Sequence, residues 1–165
     1  MDIYWISMEQ RGRLGICARP RGGDWLDDDV RAWKVSGVDV VVSLLTPGEV
    51  REVDLGAEPD RCTVHGIAFR AFPITDRGVP EQPADFLALV ADLTRAIAAG
   101  GRVLVHCRQG IGRSAITAAA VLVLTGETPE RALAVVAHAR GRPVPDTPEQ
   151  RAWVEALAAG GREEV

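Results

Sequence analysis

The sequence predicts an α/β fold: a central mainly parallel (mixed) sheet flanked by helices, in a single domain. Two apolar runs, at 38–45 and 102–105, have strand length, and the first is nearly continuous, as in a strand covered on both faces. The stretch 84–99 has helical period, with Phe86, Leu89, Val90, Leu93 and Ile97 on one face. Strands and helices alternate along the chain, which is the pattern of parallel strands joined by crossover helices.

In chain order, 3–7 and 14–18 read as short strands, with Gln10-Arg11-Gly12 as a hairpin turn between them. Arg19-Pro20-Arg21-Gly22-Gly23-Asp24 reads as a solvated loop whose arginines are also placed to steer an anion. A helix starts near Asp27 and stops at Gly37. Thr46-Pro47-Gly48-Glu49 has a threonine N-cap, a proline at the first helical position and a glutamate three residues after the cap, so a short helix to about Leu55 follows the strand at 38–45. The stretch 58–65 gives no clear assignment, and Cys62 and His65 within it read as structural residues, since nothing nearby completes a metal site. Another strand, 66–72, leads into the loop 73–80, and Gly100-Gly101 ends the amphipathic helix that follows. The run Ala115 to Leu124 is a helix apolar all round, which belongs at the centre of the domain. Thr128-Pro129-Glu130 opens a helix to about Arg140, and Thr147-Pro148-Glu149-Gln150 opens the last one, expected to stop near Gly160-Gly161. The domain is thus expected over 1–161, with 162–165 as a short tail.

At 165 residues, with 47% hydrophobic and 25% charged residues, the chain has the composition of one globular domain with a sizeable core. A net charge of −4 argues against a general nucleic-acid surface. The three cysteines Cys17, Cys62 and Cys107 are too few and too unevenly spaced for a disulfide framework or a metal site. No metal or cofactor is expected. The first ten residues lack the basic and apolar regions of a signal peptide, and no apolar run is long enough to span a membrane. A cytoplasmic monomer without nucleic-acid or membrane partners is the expectation.

The chemistry is concentrated in Val103 to Ser114, VLVHCRQGIGRS. Only a thiolate attacks well, and thiols ionise more readily at a helix N-terminus or beside cations. Cys107 is followed by a tight glycine-containing turn that runs straight into the helix at 115–124. Free N–H groups and the helix dipole attract anions there. Gly110 and Gly112 let the backbone of Arg108, Gln109, Gly110, Ile111 and Gly112 curl into a nest of inward N–H groups. Arg113 adds a planar fork that holds two phosphate oxygens at once. A phosphate cradle over a nucleophilic sulfur is the functional reading; a buried structural cysteine on a strand-to-helix turn is the bland one.

Displacing an alkoxide from phosphorus also needs a proton donor, and the hydrolytic step needs a base. Asp76, on a proline-bounded loop directly after a strand, is the candidate for both. Asp76-Arg77-Gly78 is also an ordinary turn sequence.

His-Cys, five residues, Arg-Ser resembles the signature of the cysteine-dependent protein tyrosine phosphatases. The order of FPITDRGVP, an amphipathic helix and CRQGIGRS is similar to that of the dual-specificity phosphatases, in the small bacterial and cyclin-dependent kinase inhibitor type branch. The resemblance covers about 38–150, with a weaker similarity at RPRGGDW. It implies a protein tyrosine phosphatase-like fold and a phosphatase acting on phosphorylated proteins or peptides. It also implies a role for each matching residue. Cys107 is the nucleophile, while Arg113 and the backbone of Arg108 to Arg113 bind phosphate. Ser114 eases departure of the sulfur, His106 orients the loop from behind, and Asp76 serves as acid and then base. Gln150 falls where relatives orient the hydrolytic water, yet it also completes a capping box with Thr147. The cradle lacks the lysines of phosphoinositide-directed relatives, and Arg77 and Arg108 are placed to favour acidic residues beside the phosphate. The alternatives are a catalytically silent phosphoprotein-binding regulator, a phosphatase for a non-protein phosphate, and sulfur transfer or arsenate reduction through Cys107. Cys17 and Cys62 are candidate redox partners of Cys107.

Overall fold

The computed structural model describes residues 1–163, with side chains described through residue 157. Five strands form one mixed sheet in the order β1 (Tyr4–Ile6), β2 (Arg13–Cys17), β5 (Arg102–His106), β3 (Val40–Ser43), β4 (Ala68–Ala71). β1 and β2 form the expected antiparallel hairpin. The other pairings are parallel, with Ser43 and Cys17 both level with His106. The ends of β2, β3, β4 and β5 therefore open on one edge of the sheet, the edge where ligands bind in α/β folds.

Two apolar layers enclose the sheet. On one face α1 (Leu26–Val35) and α3 (Glu58–Val64) bury Leu26, Val30, Trp33 and Cys62 against Val41 and Leu104. On the other face lie α4 (Pro83–Ala98), α5 (Arg113–Leu124), α6 (Pro129–Arg140) and α7 (Pro148–Glu163). As expected, α4 buries Phe86, Leu89, Val90, Leu93 and Ile97. Every residue from Arg113 to Leu122 on α5 is buried, which makes α5 the axis of this layer.

Local signals fix several ends. Thr46 and Glu49 form a complete capping box at the start of α2 (Pro47–Glu52), and Thr128 Oγ1 accepts from the Arg131 N–H at the start of α6. The stretch that resists assignment, 58–65, is α3. Its N-cap, Ala57, makes no side-chain cap, and the helix is fixed by burying Glu58 and Cys62. Tertiary packing supplies what local sequence does not. The last helix continues past Gly160-Gly161, where a stop is expected, because glycine weakens a helix by about 1 kcal/mol without ending it. Of the expected 162–165 tail, 164 and 165 lie outside the described residues.

Candidate active site

β5 delivers His106 and Cys107 to the open edge of the sheet, and the chain then turns through 108–112 into α5. The turn is tight enough to require its glycines. Gly110 has φ +72°, and a Cβ there would stand 2.6 Å from the Cys17 carbonyl carbon. A Cβ on Gly112 would meet the Asp146 carboxylate at 2.7 Å and the Gln150 amide at 3.1 Å.

Cys107 lies at the base of a cleft of about 180 Å³, lined also by Asp76, Arg77, Arg108, Gln109, Gly112, Arg113 and Asp146. Its Sγ is 3.3 Å from the Ser114 hydroxyl. A larger groove, about 730 Å³, runs between the β1–β2 hairpin and α6. None of the sequence-predicted site residues line it, so the smaller cleft is the candidate site despite its size.

Arg113 is buried, and its guanidinium is held by groups from α2 and from the loop after β4. Nη1 and Nη2 donate to the two carboxylate oxygens of Glu49, at 2.7 and 2.9 Å, and Nη1 also donates to the Ile74 carbonyl at 2.8 Å. Nη2 lies 3.2 Å from Oδ1 of the exposed Asp76, which places the loop after β4 against the cradle. Nε has no protein acceptor among the described residues, and Arg113 lines the cleft. Burial works against the Arg113 charge, but Glu49 outweighs it and holds the guanidinium above its ordinary value. Burial likewise works against the Glu49 charge. Arg113, with Thr46, outweighs it and keeps that carboxyl below the usual carboxylate range.

Glu49 is therefore a site residue as well as the reciprocal partner in the α2 cap. The sequence marks only the cap, because the contact to Arg113 spans 64 positions. Glu58 is a second such residue. It is buried on α3, and its Oε1 accepts from His106 Nε2 at 2.6 Å. His106 is fully buried, with Nδ1 3.3 Å from the Cys107 carbonyl oxygen.

The fold gives the other singled-out residues specific neighbours. Arg108, expected to favour acidic residues beside the phosphate, also forms an exposed ion pair with Glu52 at 2.9 Å, with Glu49 3.9 Å away. Arg77 is exposed at the mouth, at φ +61°, and pairs with no carboxylate among the described residues. Arg21 lies exposed in its loop, as expected, while its Nε and Nη2 donate to the buried Asp29 and its guanidinium stacks 4.7 Å above Trp25. Gln150 is buried and does close a capping box with Thr147. Its Nε2 also donates to the Gly78 carbonyl at 3.0 Å, which ties α7 to the loop carrying Asp76. Cys62 packs in the core and His65 lies 2.8 Å from Asp27, both structural roles as expected. His138 is exposed in the last turn of α6.

Burial pushes the Cys62 thiol up to about 12. Burial and, after it, Cys107 raise that of Cys17 well above its ordinary value. Neither side chain reaches solvent. Treatment of the folded protein with iodoacetamide near neutral pH is therefore expected to give one adduct by intact mass, on Cys107. First labelling of Cys17 or Cys62 would contradict this ordering.

A thiol at the base of a cleft, a turn entering a helix N-terminus and a fixed arginine define a phosphatase of the dual-specificity and protein tyrosine phosphatase class. The sequence profile of the Tc-R-P family, described as "Polymorphic toxin system, DSP-PTPase phosphatase", matches residues 15–127, well over half of the chain, and the chain belongs to that family. It is similar to human "Cyclin-dependent kinase inhibitor 3", 28% identical over 152 residues, which cover 86% of this chain and 71% of that protein. The rat protein of the same name is likewise 28% identical over 152 residues. Among solved structures, kinase associated phosphatase with a serine at its catalytic-site cysteine superposes with a TM-score of 0.86 at 23% identity, covering 97% of this chain and 95% of that one. PTPMT1 in complex with PI(5)P gives 0.76 at 20% identity, covering 98% of each chain. These structural likenesses show the shared fold. No helix among the described residues is long and apolar enough to cross a membrane.

Proposed function

We propose that the chain hydrolyses phosphomonoesters through a phosphocysteine intermediate, with phosphotyrosine and phosphoserine or phosphothreonine of proteins as substrates. The observation that carries this is the placement of Cys107, Arg113 and Asp76 around one cleft.

The Cys107 thiolate attacks phosphorus in line with the ester oxygen. The P–O bond to the alcohol breaks, and Asp76 gives its proton to the leaving oxygen. Charge on the transferring group falls on the N–H groups of 108–113 and on the Arg113 guanidinium, so catalysis rests on positioning and electrostatics. Water then attacks phosphorus and loses a proton to Asp76. The S–P bond breaks, inorganic phosphate leaves, and the returning thiolate is met by the Ser114 hydroxyl. His106, fixed by Glu58, orients the start of the loop. Glu49 and the Ile74 carbonyl hold one side of the guanidinium and leave Nε for phosphate oxygens.

The relatives named for a cyclin-dependent kinase inhibitor and a kinase associated phosphatase support a phosphorylated protein or peptide as the partner. Arg77, without a carboxylate partner among the described residues, and Arg108, in an exposed and weak pair with Glu52, favour an acidic residue beside the phosphate. The need for a reduced thiol supports a reducing compartment such as the cytoplasm, and the proposed chemistry calls for neither metal nor cofactor.

The test is turnover of a series of aryl and alkyl phosphates, in the presence of chelator, by wild type and Asp76→Asn. Wild type is expected to turn over and to be inhibited by vanadate. Asp76→Asn is expected to lose roughly 100-fold or more with an alkyl leaving group and much less with nitrophenolate, which needs no proton. Equal losses across the series would remove Asp76 from the acid role. A PI(5)P arm separates lipid from peptide, and preference for the lipid would overturn the protein assignment.

A further inference from the structure

The outward side of the loop 108–112 is held as firmly as its inward side is open. In a trans peptide the C=O and N–H point in opposite directions, so whatever fixes a carbonyl outward fixes the next N–H inward. Three successive carbonyls of the turn are fixed in this way. The Arg108 carbonyl accepts from the Arg19 N–H at 3.2 Å, at the extension of β2. The Gln109 and Gly110 carbonyls accept from one side chain, Arg140, whose Nη2 and Nε donate at 3.3 and 3.0 Å. The peptides concerned carry the N–H groups of Gln109, Gly110 and Ile111, the middle of the cradle.

Arg140 is itself constrained. It is the last residue of α6, and Gly141, at φ +76°, ends the helix immediately after it. Its guanidinium lies 4.1 Å above the ring of Tyr4 on β1, the chain's one tyrosine. No carboxylate among the described residues pairs with it. Its donors are thus directed to the two loop carbonyls, and its charge polarises the peptides whose N–H groups face the cleft.

We infer that Arg140 is a positioning residue for the phosphate loop: stacked on Tyr4, it holds the Gln109 and Gly110 carbonyls outward and so aims the Gly110 and Ile111 amides at the bound phosphoryl group. The inference rests on reading 107–113 as a phosphate cradle. A lysine lacks the planar fork and the flat face that stacks on Tyr4, so it replaces the arginine poorly. The gain is greatest in the transition state, where charge on the equatorial oxygens must meet donors already in place.

The test compares wild type, Arg140→Lys, Arg140→Ala and Tyr4→Leu for kcat, KM and vanadate inhibition, with circular dichroism confirming the fold. Both Arg140 variants are expected to lose about 10- to 100-fold in kcat with little change in KM. Vanadate inhibition should weaken in step with kcat/KM, and added guanidinium should partly restore Arg140→Ala. Tyr4→Leu is expected to show the same pattern at smaller size, and it carries the test if Arg140→Ala fails to fold. Folded Arg140→Lys and Tyr4→Leu with kcat and vanadate inhibition within twofold of wild type would overturn the positioning role alone. Wild type that is not inhibited by vanadate would overturn the cradle itself and this inference with it.

Discussion

Cys107→Ser is expected to lower turnover of an aryl phosphate on the order of 10⁴-fold or more while the protein still binds phosphate. An alcohol is a far weaker nucleophile than a thiol, and the carboxylates lining the cleft are those of Asp76 and Asp146. The cradle, by contrast, does not depend on the sulfur: Arg113 is held by Glu49 and Ile74, and the loop carbonyls by Arg19 and Arg140. The exchange replaces one small side chain by another and removes little volume. Phosphate binding measured by calorimetry, beside turnover measured with chelator present, separates the two effects. Residual turnover within tenfold of wild type would show that the nucleophile lies elsewhere.

The second large effect is expected at Arg113. Arg113→Lys is predicted to lose roughly 10³-fold or more in kcat/KM, although charge is conserved. A lysine cannot hold both Glu49 oxygens and the Ile74 carbonyl while offering another donor to phosphate. Glu49 then stands as a buried anion near the thiolate and the incoming phosphate. Glu49→Gln is expected to cause a smaller loss of activity, and to remove one source of acid sensitivity. The sign follows from its low carboxyl: a group ionising more easily in the folded state stabilises it above the unfolded value. That stability fades as pH falls through the folded value. Wild type should therefore lose melting temperature below about pH 4, and Glu49→Gln should flatten that limb. An unchanged limb would mean that the Glu49–Arg113 pair contributes nothing to stability.

What the sequence reveals of this protein is local. Cys107, Arg113 and Ser114 lie within eight positions, and the two glycines and the helix after them announce the cradle. The capping box at Thr46 and the apolar face of α4 are equally short-range, and each appears where expected. The partners that fix the site are distant. Glu49 reaches Arg113 across 64 positions, Glu58 reaches His106 across 48, and Arg140 reaches Gly110 across 30. Each of these also has a local explanation, as a cap, an unassigned polar residue or a helix end, and that explanation hides its second role. The charge partners are distant too: Arg108 and Arg21 look free in sequence, and the fold brings Glu52 and Asp29 to them while both arginines keep contact with solvent.

The proposed reaction requires a covalent bond between Cys107 and phosphorus during turnover. Rapid acid quench of Asp76→Asn with nitrophenyl phosphate, followed by peptide mass analysis, measures that bond directly. The expected result is one phosphoryl group per chain, on the peptide carrying Cys107. A phosphoryl group on any other residue, or none during sustained turnover, would contradict it.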